Sequence, residues 1–289
     1  MSSLLDCIGV TDNLGLIKCN KLPAMPKLII ETPEDFFLTP TDAVDPTKWQ
    51  DALKDARGIR IYLWPEADNF EDKSEAAVYQ TTPLSVIPVR DGRYQWLLQF
   101  SKSLCYHKAM FTHRGKDMRI FILDIQNQLF GKLNSDGNFQ GFKVAMLNTE
   151  KLQISNGQVA TVSPVYIVLA DNTEVDKSGA LIDGLFVGDL FPLTDVDITV
   201  ITQTAADIKI SVKTSCDNTP VLGLVKADFN LLKNDGTVQV ILASTDHNDG
   251  TYSFTTGTAF VDGTIDLVAA SALSIDAYES TGAQVVNVP

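Results

Sequence analysis

Asp91-Gly92-Arg93-Tyr94-Gln95-Trp96-Leu97-Leu98-Gln99-Phe100 joins a turn dipeptide to a strand-like run. Asp-Gly and Asn-Gly supply the φ > 0 positions that tight hairpin turns require. Six more such dipeptides follow the same logic, at Asp136, Asn156, Asp183, Asp235, Asp249 and Asp262. Runs rich in apolar and β-branched residues lie between them, at residues 59–64, 119–124, 142–147 and 165–169. The chain is therefore expected to be mainly β and built from hairpins.

One segment breaks the strand pattern. In Asp45-Pro46-Thr47-Lys48-Trp49-Gln50-Asp51-Ala52-Leu53-Lys54-Asp55-Ala56-Arg57-Gly58, Asp45 suits the N-cap, Pro46 the first helical position and Gly58 the residue past the end. Trp49, Ala52, Leu53 and Ala56 share one face, so a single helix is expected to cover one side of a sheet. A second, short helix is read over residues 74–79. Residues 69–83 are otherwise polar and charged and read as a long loop, a kind of segment that often carries function.

Residues 22–30 alternate apolar side chains with prolines, and Pro33 follows. Proline removes a backbone donor and holds its predecessor extended, so this is an arm rather than a helix. So apolar an arm needs a surface, either the chain's own sheet or a neighbouring subunit.

The 289 residues carry a net charge of −13. That balance argues against a nucleic-acid binder, though an acidic wall would let nucleic acid slide past without sticking. Charge divides the chain unevenly: residues 195–289 hold 12 acidic residues, 4 lysines and no arginine. Together with Phe191-Pro192-Leu193, this places a boundary between residues 1–193 and a second unit, 194–289. The second unit has the size and turn density of an immunoglobulin-like sandwich.

Chemistry-bearing motifs are sparse. Cys7, Cys19, Cys105 and Cys216 lack CxxC or framework spacing and read as reduced thiols, with a Cys7–Cys19 bridge as the lesser alternative. Cys105, His107 and His113 fall short of a zinc set, and a strand-edge loop with a buried thiol is the preferred reading. His247 sits in Thr245-Asp246-His247-Asn248-Asp249-Gly250, a hairpin turn without the distant glutamate of a calcium loop. Trp49, Trp64 and Trp96 read as core aromatics rather than a sugar platform. No nucleophile elbow, dinucleotide or phosphate loop is present. Neither an enzyme nor a cofactor is expected. Residues 1–10 lack a basic leader and no apolar run reaches membrane length, so synthesis in a cytoplasm is expected.

This layout resembles the major tail tube proteins of long-tailed bacteriophages. The resemblance is carried by the arm at 22–30, the helix at 46–57, the segment 69–83 and the strands between 59 and 169. Asn218 to Phe229, followed by Asp249-Gly250-Thr251-Tyr252-Ser253-Phe254, is similar to bacterial immunoglobulin-like repeats. The resemblance implies a barrel-forming β-sandwich with one flanking helix, followed by an immunoglobulin-like sandwich. It also implies a virion protein that forms rings, commonly of six copies, stacked into a tube that conducts DNA without tight binding. Partners would be further copies and other virion proteins, with no membrane. Met25, Leu28, Ile29 and Ile30 of the arm and Phe70, Glu71, Asp72 and Lys73 of the loop are then the expected inter-subunit contacts. A capsid decoration or head-fibre protein is the alternative, and a carbohydrate-binding surface module a further one.

Overall fold

The computed structural model describes residues 22–158, 160–267, 270–273 and 276–288. The chain is mainly β and divides into two compact units between Leu190 and Phe191.

The first unit is built on a ten-stranded sheet curled into a half-barrel. Its main path runs Gly179–Asp183, Gln128–Leu133, Met118–Asp124, Phe142–Thr149, Ser163–Leu169, Gln95–Phe100 and Asn69–Asp72. Three further strands, Pro26–Pro33, Tyr62–Leu63 and Phe139–Gln140, pair off this path. Gln95–Phe100 alternates as its sequence implies, burying Trp96, Leu98 and Phe100.

Pro26–Pro33 decides how the sheet is covered. It pairs antiparallel with Met118–Asp124, placing Ile29 opposite Ile122 and Ile30 opposite Phe121. Successive side chains of a strand point to opposite faces. Leu28 and Ile30 accordingly enter one core with Trp49 and Phe121, and Ile29 enters another with Trp64 and Phe142. An unbroken apolar run is what a strand covered on both faces requires. The expected inter-subunit role of Leu28, Ile29 and Ile30 therefore gives way: they are core residues of their own sheet, with Ile29 and Ile30 fully buried. Asp124 fastens the strand's start, since one carboxylate oxygen accepts from the Ala24 amide at 2.9 Å.

The helix is Pro46–Lys54. Asp45 Oδ1 accepts from the Thr47 amide at 2.9 Å, and Trp49, Ala52 and Leu53 face the core. The Trp49 ring lies 5.1 Å from Phe121, nearly edge-on, and its Nε1 donates to the Ala43 carbonyl at 3.0 Å. The helix stops before Ala56, which is exposed, and Gly58 takes φ 108°.

Two helical expectations fail. Residues 74–79 form no helix, and of the Cys105, His107 and His113 cluster, read as a strand-edge loop, the first two belong to the helix Leu104–Thr112 and His113 ends it. Ser103 caps that helix, its Oγ accepting from the Tyr106 amide at 3.3 Å. Its inward face carries His107 and Met110. His107 Nδ1 lies 2.7 Å from Ser163 Oγ, which satisfies a buried imidazole by pairing it with the sheet. A short helix, Asn172–Asp176, sends Glu174 back to Arg119 Nη1 (3.2 Å), Lys132 Nζ (2.5 Å) and the Lys143 amide (2.7 Å).

The second unit is a sandwich of a six-stranded and a three-stranded sheet over one core. The larger runs Ile241–Asp246, Thr251–Thr256, Ile208–Thr214, Leu193–Gln203, Asp276–Ser280 and Ala270–Leu273. Leu193–Gln203 and Asp276–Ser280 run parallel, and every other pair is antiparallel. Tyr252, fully buried, donates its hydroxyl to the Val221 carbonyl at 2.7 Å and so ties down the segment before Leu224.

Four of the seven turn glycines, Gly137, Gly157, Gly236 and Gly250, take positive φ. Gly92, Gly184 and Gly263 do not. Gly250 is the most constrained of the four: at φ 79°, a Cβ there would lie 2.7 Å from Pro220 Cβ. Gly92 instead lets the backbone of Glu75 pass against it, a contact that any Cβ would block.

Candidate assembly surface

Residues 69–100 form one long antiparallel ribbon rather than a loop followed by a strand. Asn69–Asp72 pairs with Gln95–Phe100, and Lys73 and Glu75 continue the ladder by donating to the Gln95 and Arg93 carbonyls at 2.8 and 3.0 Å. An Arg90–Glu75 ion pair at 3.1 Å marks the point where the ribbon leaves the sheet. Beyond it, Val78–Thr81 pairs with Val86–Arg90 as a two-stranded sheet of its own. Every residue of these two strands is exposed. The tip is closed locally, with the Thr82 amide donating to the Ser85 carbonyl at 2.7 Å.

The side chains on this ribbon do not suit water. Tyr79, Val86 and Val89 are each about 60% exposed, and Leu84 at the tip is 98% exposed. A solitary two-stranded hairpin is at best marginally stable in water. Exposed strand edges and apolar patches of this kind mark sites that pair with another chain.

Of the expected loop contacts, Phe70, Glu71 and Asp72 therefore sit on a strand, and Lys73 follows it directly. Phe70 packs its ring 6.4 Å from Trp96 and belongs to the second core. Glu71 and Lys73 pair with each other at 2.5 Å, and that carboxylate raises the Lys73 pKa. Asp72 accepts from the Ser74 amide at 2.9 Å. Asn69–Asp72 ends the strand path, paired only with Gln95–Phe100 among the described residues. Met25 is half-exposed, and its carbonyl accepts from the amide of Ile125, itself exposed. Sequence reading missed the residues that stand furthest out: Val78, Tyr79, Leu84, Val86, Ile87 and Val89. Val86, Ile87 and Val89 carried a signal, being β-branched and seven to eleven residues downstream of a matching Val78-Tyr79.

At the ribbon's base lies an open cleft of about 420 Å³. It is lined by Ala145, Met146, Tyr166 and Val168 of the sheet and by Glu75, Arg90, Arg93 and Gln95 of the ribbon. The strand register slips between Val144 and Met146, and such a bulge bends the strand locally.

The other candidate chemistry is occupied. His113 Nδ1 lies 2.8 Å from Glu31 Oε1, while Trp64 Nε1 donates to Glu31 Oε2 at 3.1 Å. His247 Nε2 lies 2.9 Å from Ser253 Oγ in the expected hairpin turn. Trp49, Trp64 and Trp96 are all buried in the two cores. Among the described residues no three His, Cys, Asp or Glu side chains converge as metal ligands. Cys105 and Cys216 are both disulfide-bonded, which corrects the expectation of reduced thiols; Cys7 and Cys19 lie outside the described residues. Spacing along a chain does not report which sulfurs come within bonding distance.

In the second unit Val238, Val240 and Leu242 also face solvent, while Gln239 between them is buried and donates to the Ala259 carbonyl. Lys226 Nζ caps the Leu242 carbonyl at 3.0 Å, a device that blunts a strand edge. No helix among the described residues is long and apolar enough to cross a membrane. No protein-family model, curated protein or solved structure matches this chain.

Proposed function

We propose that this protein is a structural subunit of a long-tailed bacteriophage tail, one copy in a ring that stacks into a tube conducting DNA. The observation that carries assembly is the Val78–Thr81/Val86–Arg90 ribbon, solvated on both faces yet lined with valine, isoleucine, leucine and tyrosine. Covering its six large apolar side chains releases about 5–10 kcal/mol before ordering costs, which is of the order of the cost of association itself.

The tail-tube reading draws support from layout: a curled β unit, a flanking helix and an appended sandwich. The disulfides suit a particle that leaves the cell, since virion surfaces are among the places where disulfides persist. A net charge of −13 suits a conduit that repels the phosphate backbone.

Negative-stain microscopy of concentrated, purified protein tests this directly. Stacked rings or tubes are the expected image. Discrete trimers would move the assignment to a capsid decoration or head-fibre protein, and monomers at every concentration would overturn an assembling role.

A further inference from the structure

The ribbon and the cleft at its base are complementary. Leu84, with Pro83 beside it, projects from a tip closed by hydrogen bonds between Thr82 and Ser85, so its shape exists before any partner arrives. The cleft is lined by the apolar side chains of Met146, Val168 and Ala145 and by residues with side-chain donors, Arg90, Arg93 and Gln95. Those donors suit the carbonyls and hydroxyls of a turn. Its volume of about 420 Å³ falls in the range of pockets that enclose small ligands, ample for a Pro-Leu pair.

We propose that the 82–85 tip of one copy seats in this cleft of the next, a deepening that rests on the assembling-subunit reading above. A copy cannot satisfy itself. Glu75 lines the cleft and six residues, 76–81, separate it from Thr82, so tip and cleft stand about 20 Å apart. Leu84 is 98% exposed, which confirms that it does not fold back. Each copy thus offers one knob and one hole at different places. Such a head-to-tail contact repeats and either closes into a ring or continues as a helix. An isologous tip-to-tip pairing would instead stop at a dimer.

Two full-length variants separate these arrangements: Leu84→Asp spoils the knob and Met146→Asp spoils the hole. Both side chains are exposed, so each variant should melt with the parent protein; Leu84→Ser and Met146→Ser serve as a milder second pair. In sedimentation velocity each Asp variant alone should self-associate at least about tenfold more weakly than the parent. An equimolar mixture should form a 1:1 dimer that does not grow, because the intact tip of one fills the intact cleft of the other. A Met146→Asp protein that assembles as the parent does would overturn the cleft while leaving the assembling-subunit reading standing. A mixture with no dimer would do the same. A parent that stays monomeric at every concentration would overturn both.

Discussion

Replacing Ile87 and Val89 with serine should leave the monomer's stability intact and weaken its self-association. The two residues are 48% and 60% exposed, so together they offer about one full side chain of apolar surface to a partner. Burying that much releases about 1.5–3 kcal/mol, which is about 10–100-fold in a dissociation constant. Neither residue belongs to a core cluster, so their loss should change folding stability by no more than about 0.5 kcal/mol. In a unit of this size that is a melting shift of about 2 °C or less. Ile30→Ala is the contrasting control: fully buried, it should cost about 2–5 kcal/mol of stability. Thermal melts at low concentration and sedimentation over a concentration series read the two effects separately. A double serine variant that melts as early as Ile30→Ala, or that assembles at the parent's concentration, would refute the division between core and contact surface.

The two units should fold independently. A chain ending at Leu190 and a fragment starting at Phe191 should each give amide spectra that overlay on the whole protein, and collapse of either would reject the boundary. Glu174 should make the first unit acid-sensitive: burial raises its pKa, but hydrogen bonds from Lys132, the Lys143 amide and Arg119 outweigh that and hold it below 4.5. A depressed folded pKa gives stability that is present above 4.5 and lost as pH falls through the folded value, so Glu174→Gln should flatten the melting curve against pH in that acid range. Gly250→Ala should destabilise the second unit by about 1–2 kcal/mol from backbone strain alone, with contact against Pro220 adding to it; an unchanged melt would show that the turn relaxes. Purified protein should not shift duplex DNA in a gel at physiological salt, and tight, salt-sensitive binding would reject a passive conduit.

The parts of the fold legible in the sequence are those decided locally. Asp45 and Pro46 start a helix by satisfying and omitting amides within three residues, and that start is where the structure has it. The Leu28-Ile29-Ile30 run announces burial plainly. It does not announce whose surface does the burying, because a strand covered on both faces and an arm clasping a neighbour have the same composition. Leu104–Thr112 escaped notice for a related reason. Its buried positions include His107 while Leu104 and Phe111 are exposed, so the apolar periodicity that marks a helix is scrambled. The ribbon was hidden by charge. Glu71, Asp72, Lys73 and Glu75 read as loop, yet their backbones follow the Gln95–Phe100 strand, and pairing across the sheet overrides weak strand propensity. The candidate surface was half visible, since its outgoing strand Val78–Thr81 lay within residues 69–83 but Leu84 and the returning strand Val86–Arg90 did not.

The parallel pairing of Leu193–Gln203 with Asp276–Ser280 has a mechanical consequence. Leu193 aligns with Ala277, Thr194 with Tyr278, Asp195 with Glu279 and Val196 with Ser280. Tension applied between Leu193 and Ser280 pulls these two strands in opposite directions along their length, so the hydrogen bonds are loaded in shear and must yield together. An antiparallel neighbour peeled from one end would surrender its bonds singly. The second unit is therefore built to bear load between its first strand and its late one, and stretching it from those two points should require more force than pulling across the Thr251–Thr256 hairpin.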